Sequence, residues 1–160
     1  MPPDPHARPI DIRLADPEAP AALACLRQYF DLLAAKIDGI TPAHIPLPDP
    51  DAQSYRPPHG AFLLAWSDGV PLGCVSLHAL APEVAEVKRL WIAPAARGQG
   101  LARRLMARIE SHARTLGYRH LKLDTNAALP EAIALYRATS WVDTAPYTGY
   151  PATHWFAKAL

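Results

Sequence analysis

V-A-E-V-K-R-L-W-I-A-P-A-A-R-G-Q-G-L-A, residues 84–102, is the stretch on which the reading of this chain turns. An apolar-rich strand pattern runs into a proline stop at Pro94, then two glycines, Gly98 and Gly100, then the start of a long helical pattern. Strand, turn and helix N-terminus in that order suit an anion. The first N–H groups of a helix have no intrahelical partner, and the aligned peptide dipoles leave partial positive charge there. Glycine has no Cβ, so phosphate oxygens can approach the backbone closely. Taken alone, a G-x-G before a helix serves equally well as a plain turn, so the surrounding residues must decide.

They exclude two familiar phosphate loops. A P-loop needs G-K-[ST] at the helix start, where this chain has Gly100-Leu101-Ala102. The dinucleotide fingerprint G-x-G-x-x-G needs a third glycine, and Arg103 stands in its place. Asp124 ends the next strand pattern as a ribose-binding acid would, but too little chain follows for the second half of a dinucleotide domain.

A third pattern fits. R-G-Q-G-L-A at 97–102 satisfies [QR]-x-x-G-x-[GA] behind L-W-I-A-P, with L-D-T-N at 123–126 and A-L-Y-R at 134–137 further on. From about residue 60 to its end the chain resembles the GNAT family of acyl-CoA-dependent N-acyltransferases. The resemblance implies an α/β (α+β) fold: one domain with a mixed, mostly antiparallel sheet flanked by helices, and a central parallel strand pair splayed to hold coenzyme A. It implies that Arg97, Gly98, Gln99, Gly100, Leu101 and Ala102 hold the coenzyme diphosphate, and that Leu90, Trp91 and Ile92 pair with the pantetheine arm. Asn126 matches a polar position that contacts the pantetheine or diphosphate, and Tyr136 one beside the thiol. Where relatives commonly read G-[FY], this chain has Ser140-Trp141, which puts the local geometry there in question.

Size and composition set bounds. The chain has 160 residues, half of them hydrophobic, enough for one domain with a substantial core. We expect a tail over 1–7 and the domain over 8–160. A net charge of +1 gives no broad field for nucleic acid or anionic membrane. No apolar run is long enough to span a bilayer and the N-terminus lacks a signal-peptide h-region, so a cytoplasmic protein is expected. Cys25 and Cys74 read as small buried hydrophobes rather than a disulfide framework.

Along the chain, Ile10, Ile12 and Leu14 alternate with Asp11 and Arg13 as a first strand. Helical spacing runs from about 17 to 37, with Gly39 expected to close the helix. Residues 40–59 carry six of the 18 prolines and show no sustained period; by the resemblance this connection borders the acceptor site, making His44, Tyr55, Arg56 and His59 candidate contacts. Asp49 and Asp51 lack the glycine and terminal glutamate of a calcium loop. A hairpin follows at 61–66 and 71–80 around Ser67-Asp68-Gly69. Next come the strand at 84–93, a helix at 98–116 ended by Gly117, and a strand at 120–124 parallel to the strand at 84–93 because a helix connects those two. A short helix at 130–139 and strands near 141–145 and 153–159 complete the domain. Arg103 and Arg104 are either a solvated helix face or an aid to the phosphates.

Transfer of an acyl group from a thioester to an amine requires proton removal from the ammonium, stabilisation of an oxyanion and protonation of the departing sulfur. Tyr136 is the candidate acid, because a phenol remains protonated at neutral pH. Glu86 is the candidate base. Strand alternation puts Glu86 and Lys88 on one face, so a salt-bridged surface role stays open beside it, as do Glu83 and ordered water as alternative bases. Backbone N–H groups near Leu90–Ile92 are the candidate oxyanion donors if that strand is bulged. The histidines form no metal-ligand array and no G-x-S-x-G elbow occurs, so no metal is expected. The expected activity is transfer of acetyl from acetyl-CoA to a primary amine of a small molecule or peptide in a ternary complex. A non-catalytic acyl-CoA sensor or interaction module is the alternative. Tyr147, Tyr150, His154 and Trp155 suggest a partly apolar acceptor pocket, or equally packing at a sheet edge or in a homodimer.

Overall fold

Alternation along the strands divides the apolar residues between two cores, one on each face of a single sheet. The computed structural model describes residues 8–160; the tail expected over 1–7 lies outside them. The strands are β1 (Asp11–Leu14), β2 (Ala61–Ser67), β3 (Val70–Ala81), β4 (Val84–Ile92), β5 (His120–Thr125), β6 (Val142–Asp143) and β7 (His154–Ala159), in the spatial order β1-β2-β3-β4-β5-β7-β6. Among the described residues only β4 and β5 pair in parallel. In β2, Ala61, Leu63 and Ala65 face the core under α2 (Leu101–Thr115) and α3 (Pro130–Ala138). Phe62 and Leu64 face the opposite core under α1 (Pro20–Lys36), where Cys25 and Cys74 are fully buried. Both expectations of fold class and of packed thiols hold.

Helix boundaries differ from the periodicity by a few residues, each for a local reason. The helix expected over about 17–37 runs from Pro20 to Lys36, because Ile37 is already extended, and Gly39 (φ 85°) turns the chain afterwards. The helix expected from 98 begins at Leu101, because Gly98 and Gly100 sit at φ 76° and 77°, outside the helical region. In β1 only Ile12 is buried; Leu14 is 59% exposed at the sheet edge.

The feature that positions the site is a bulge in β4. Cys74 pairs with Trp91 but Ser76 with Lys88, so β4 carries one more residue than β3 over this interval. Arg89 lies inside it with φ 62°. Pairing of β4 with β5 covers only Val84↔His120 to Glu86↔Lys122; beyond Glu86 the two strands part.

Candidate active site

Beside the parted end of β4 lies a cavity of about 400 Å³. Leu90, Trp91 and Ile92 form its β4 wall, Ala132 and Leu135 of α3 face them, and the end of α1 contributes Tyr29, Leu32 and Lys36. Gly98, Gly100, Leu101, Ala102 and Arg103 close one end with the start of α2. The first intrahelical bond there runs from Arg104 N to Gly100 O at 3.1 Å, so the preceding amides have no helical partner. A Cβ on Gly98 or Gly100 would meet nothing within 4 Å, so positive φ, not crowding, demands glycine at both, and the space beside them is open. Lys36, Arg97 and Arg103 bring three positive charges to the cavity, against one negative charge from Glu131 of α3. Arg97 Nε donates to Ile92 O at 3.2 Å and Gln99 Nε2 to Ala95 O at 3.3 Å, which folds the loop back on itself. Gln99 is outside the cavity lining, whereas Arg97 is in it. Size, free amides and cations all suit a diphosphate joined to a long apolar-walled arm.

Deeper in the splay, a crevice of about 30 Å³ lies between Lys88–Leu90 of β4 and Asp124–Thr125 of β5. Tyr136 lines it from α3. Its ring packs on Trp141 and Phe156, and burial, helped by Tyr29 and Asp124, pushes its phenol pKa well above the ordinary tyrosine value. It therefore stays protonated. Beyond the crevice lies a second cavity of about 300 Å³. Tyr29 and Leu129 line all three spaces, which are arranged in series through the splay. Asn126 belongs to the second cavity, not the first, and its amide is engaged: Nδ2 donates to Pro151 O at 2.6 Å and Oδ1 accepts from Ala128 N at 2.8 Å.

Glu86 is buried, 4% exposed. Its Oε1 lies 2.6 Å from His78 Nε2, and its Oε2 accepts the Tyr147 hydroxyl at 2.6 Å. Burial pushes the carboxyl pKa up, but the hydrogen bonds from His78 and Tyr147, with the charge of Lys88, outweigh it and leave the group below the ordinary glutamate value. The salt-bridged surface role is corrected: Lys88 turns to Asp51 at 3.4 Å, and Glu86 is inside. Glu83 is a turn residue at the far end of β4 from the bulge, paired with Arg119 at 3.5 Å.

Of the loop candidates, only His44 reaches the second cavity. Tyr55 is 1% exposed and packs against Phe62 and His78, Arg56 binds Asp16 and Glu18, and His59 offers its carbonyl to Tyr118. Arg104 donates to Ile10 O, leaving Arg103 as the helix-face arginine on the first cavity. His78 was not singled out from sequence, though strand register could have found it, since it pairs directly with Glu86. Tyr29 and Lys36 gave no comparable signal. Among the described residues, no group of three or more histidine, cysteine or acidic side chains could hold a metal ion, and no helix is long and apolar enough to cross a membrane.

Residues 26–140 match the family model described as the acetyltransferase (GNAT) family. An uncharacterized N-acetyltransferase of Schizosaccharomyces pombe is 38% identical over 101 residues, covering 62% of each chain. This chain thus spans less than two thirds of that relative's length. The uncharacterized N-acetyltransferase YjgM of Escherichia coli is 33% identical over 134 residues, 80% of this chain and 78% of that one. Among solved structures, YncA of Salmonella typhimurium with its cofactor acetyl-CoA superposes with a TM-score of 0.71 over 94% of both chains at 18% identity, a likeness of fold.

Proposed function

The chain belongs to the GNAT family of acetyltransferases, and from that premise we propose that it transfers the acetyl group of acetyl-CoA to a primary amine by direct attack in a ternary complex. The observation that carries this reading is the serial arrangement at the splay: an anion-suited cavity, a crevice beside Tyr136 and a second cavity, joined by Tyr29 and Leu129.

In this reading the diphosphate lies on the amides after Ala96, amid Lys36, Arg97 and Arg103. The pantetheine follows Leu90–Ile92 into the splay. The deprotonated amine attacks the thioester carbonyl, a C–N bond forms, and backbone N–H groups freed by the bulge face the oxyanion. As the C–S bond breaks, the Tyr136 hydroxyl gives its proton to sulfur. The ammonium proton leaves through ordered water. With both oxygens of Glu86 engaged, its pKa lowered and its side chain outside the lining of all three spaces, its role is that of a fixed buried charge and not of a proton acceptor. Holding both substrates in one channel supplies much of the barrier reduction by orientation.

Thiol release from acetyl-CoA, measured across primary amines and peptides, tests the reading. Amine-dependent release supports it. Tight coenzyme binding with no release for any amine would instead identify a non-catalytic acyl-CoA sensor.

A further inference from the structure

The second cavity has a wall and a charge that together select a ligand. One side of it is apolar, with Leu33 and Ile37 at the end of α1, Ile40 and Ile45 beyond it, and Leu129, while Thr125, Asn126 and Thr148 add polar groups elsewhere in the lining. Three charged side chains of the sheet border it, Lys88, Arg89 and Asp124. The two cations are already matched. Arg89 is held by Asp49 at 2.8 and 3.3 Å, and Lys88 lies 3.4 Å from Asp51. Asp124 is different. Among the described residues it forms no ion pair, and its Oδ2 accepts a hydrogen bond from the Thr148 hydroxyl at 2.6 Å. That hydroxyl in turn accepts from Trp155 Nε1 at 2.8 Å, so the carboxylate is oriented by a two-step chain. Asp124 also lines the crevice that Tyr136 lines, so a nitrogen bound to it stands at the mouth of the reaction channel.

Building on the acetyltransferase reading, we propose that the second cavity is the acceptor site and takes a primary amine with a compact apolar body and no anionic group, its ammonium held by the Asp124 carboxylate. A zwitterionic amino acid would bring a carboxylate for which neither Lys88 nor Arg89 is free. A polyamine would bring further ammonium groups for which the cavity lining holds no carboxylate besides Asp124. A monoamine such as phenethylamine meets both requirements.

Binding tests this separately from turnover. With the protein saturated with coenzyme A, calorimetric titration should show phenethylamine binding at least about tenfold more tightly than phenylalanine or spermidine. Asp124→Asn should weaken phenethylamine by about tenfold or more with coenzyme A affinity unchanged. Should that variant fail to fold, Ile40→Gln reads the same cavity from its apolar wall, with an expected loss of about fivefold. Binding of phenylalanine or spermidine as tight as that of phenethylamine overturns the proposal. So does absence of phenethylamine binding, or wild-type affinity in a folded variant. If phenethylamine binds as expected but no thiol is released, the enzymatic reading fails and the amine site stands.

Discussion

The guanidinium of Arg89 is gripped by the carboxylate of Asp49, Nε to Oδ2 at 2.8 Å and Nη2 to Oδ1 at 3.3 Å. One partner is the bulge residue of β4 and the other comes from the proline-rich connection, so that connection braces the splay. Arg89 also lies over the Phe30 ring of α1, 5.1 Å from its centre. A non-glycine residue at φ 62° costs about 1–2 kcal/mol, and these contacts hold it there. Asp49→Ala removes the buried partner of a largely buried cation, the Asp49 side chain being 0% and that of Arg89 17% exposed, and leaves it only the half-exposed Asp51 at 3.6 Å. The expected cost is about 3 kcal/mol. Chemical denaturation checks that loss, and a rise in the KM for acetyl-CoA checks the loosened bulge.

Gly100→Glu should abolish coenzyme binding. The residue sits at φ 77° with open space beside it, so the new side chain would be backbone-strained and would set a carboxylate where the diphosphate is proposed to lie. Calorimetry with coenzyme A reads the outcome. Unchanged affinity would remove the loop from the site.

Tyr136→Phe should lower kcat by roughly 10²-fold if the hydroxyl protonates sulfur, with coenzyme A affinity nearly kept. The ring remains to pack on Trp141 and Phe156, so the melting temperature should move little. An unaltered rate would assign Tyr136 to the core alone.

Much of this was legible in residues 84–102, because strand, glycine turn and helix start are local patterns. The bulge was expected only by resemblance: Arg89 is not glycine, and what holds it at positive φ is Asp49, 40 positions away. Likewise Glu86 and Lys88 do share a face, but alternation could not say that Asp51 would claim Lys88 and that His78 and Tyr147 would bury Glu86. Side-chain partners set by tertiary approach leave no period in the sequence. Asn126 illustrates the same limit, since the return of the chain at Pro151 occupies its amide.

Ser140 keeps the left-handed geometry that its departure from G-[FY] had put in question. It has φ 72°, a left-handed conformation that glycine adopts without strain, while Trp141 beside it is buried. Ser140→Gly should therefore stabilise the protein by about 1 kcal/mol, the relief of strain exceeding the added freedom of the unfolded chain. That corresponds to a rise of about 2–4 °C in Tm, readable by calorimetry. A fall in Tm would mean that the serine is held without strain.

Glu86 should make stability depend on pH in the acid range. Its folded pKa lies below the ordinary value of 4.5 because His78 and Tyr147 hydrogen-bond the carboxylate, overcoming the upward push of burial. The unfolded state therefore binds the proton more readily, and ∂ΔG/∂pH is positive across the interval between the two values. The stabilisation is complete above the ordinary glutamate range and is lost as pH falls through the folded value. Glu86→Gln removes this titration, so the difference in stability between wild type and variant should shrink as the solution is acidified from pH 6. Parallel denaturation curves at several pH values measure it. A constant difference across that range would show that the carboxylate is no better held in the folded chain than in the unfolded one.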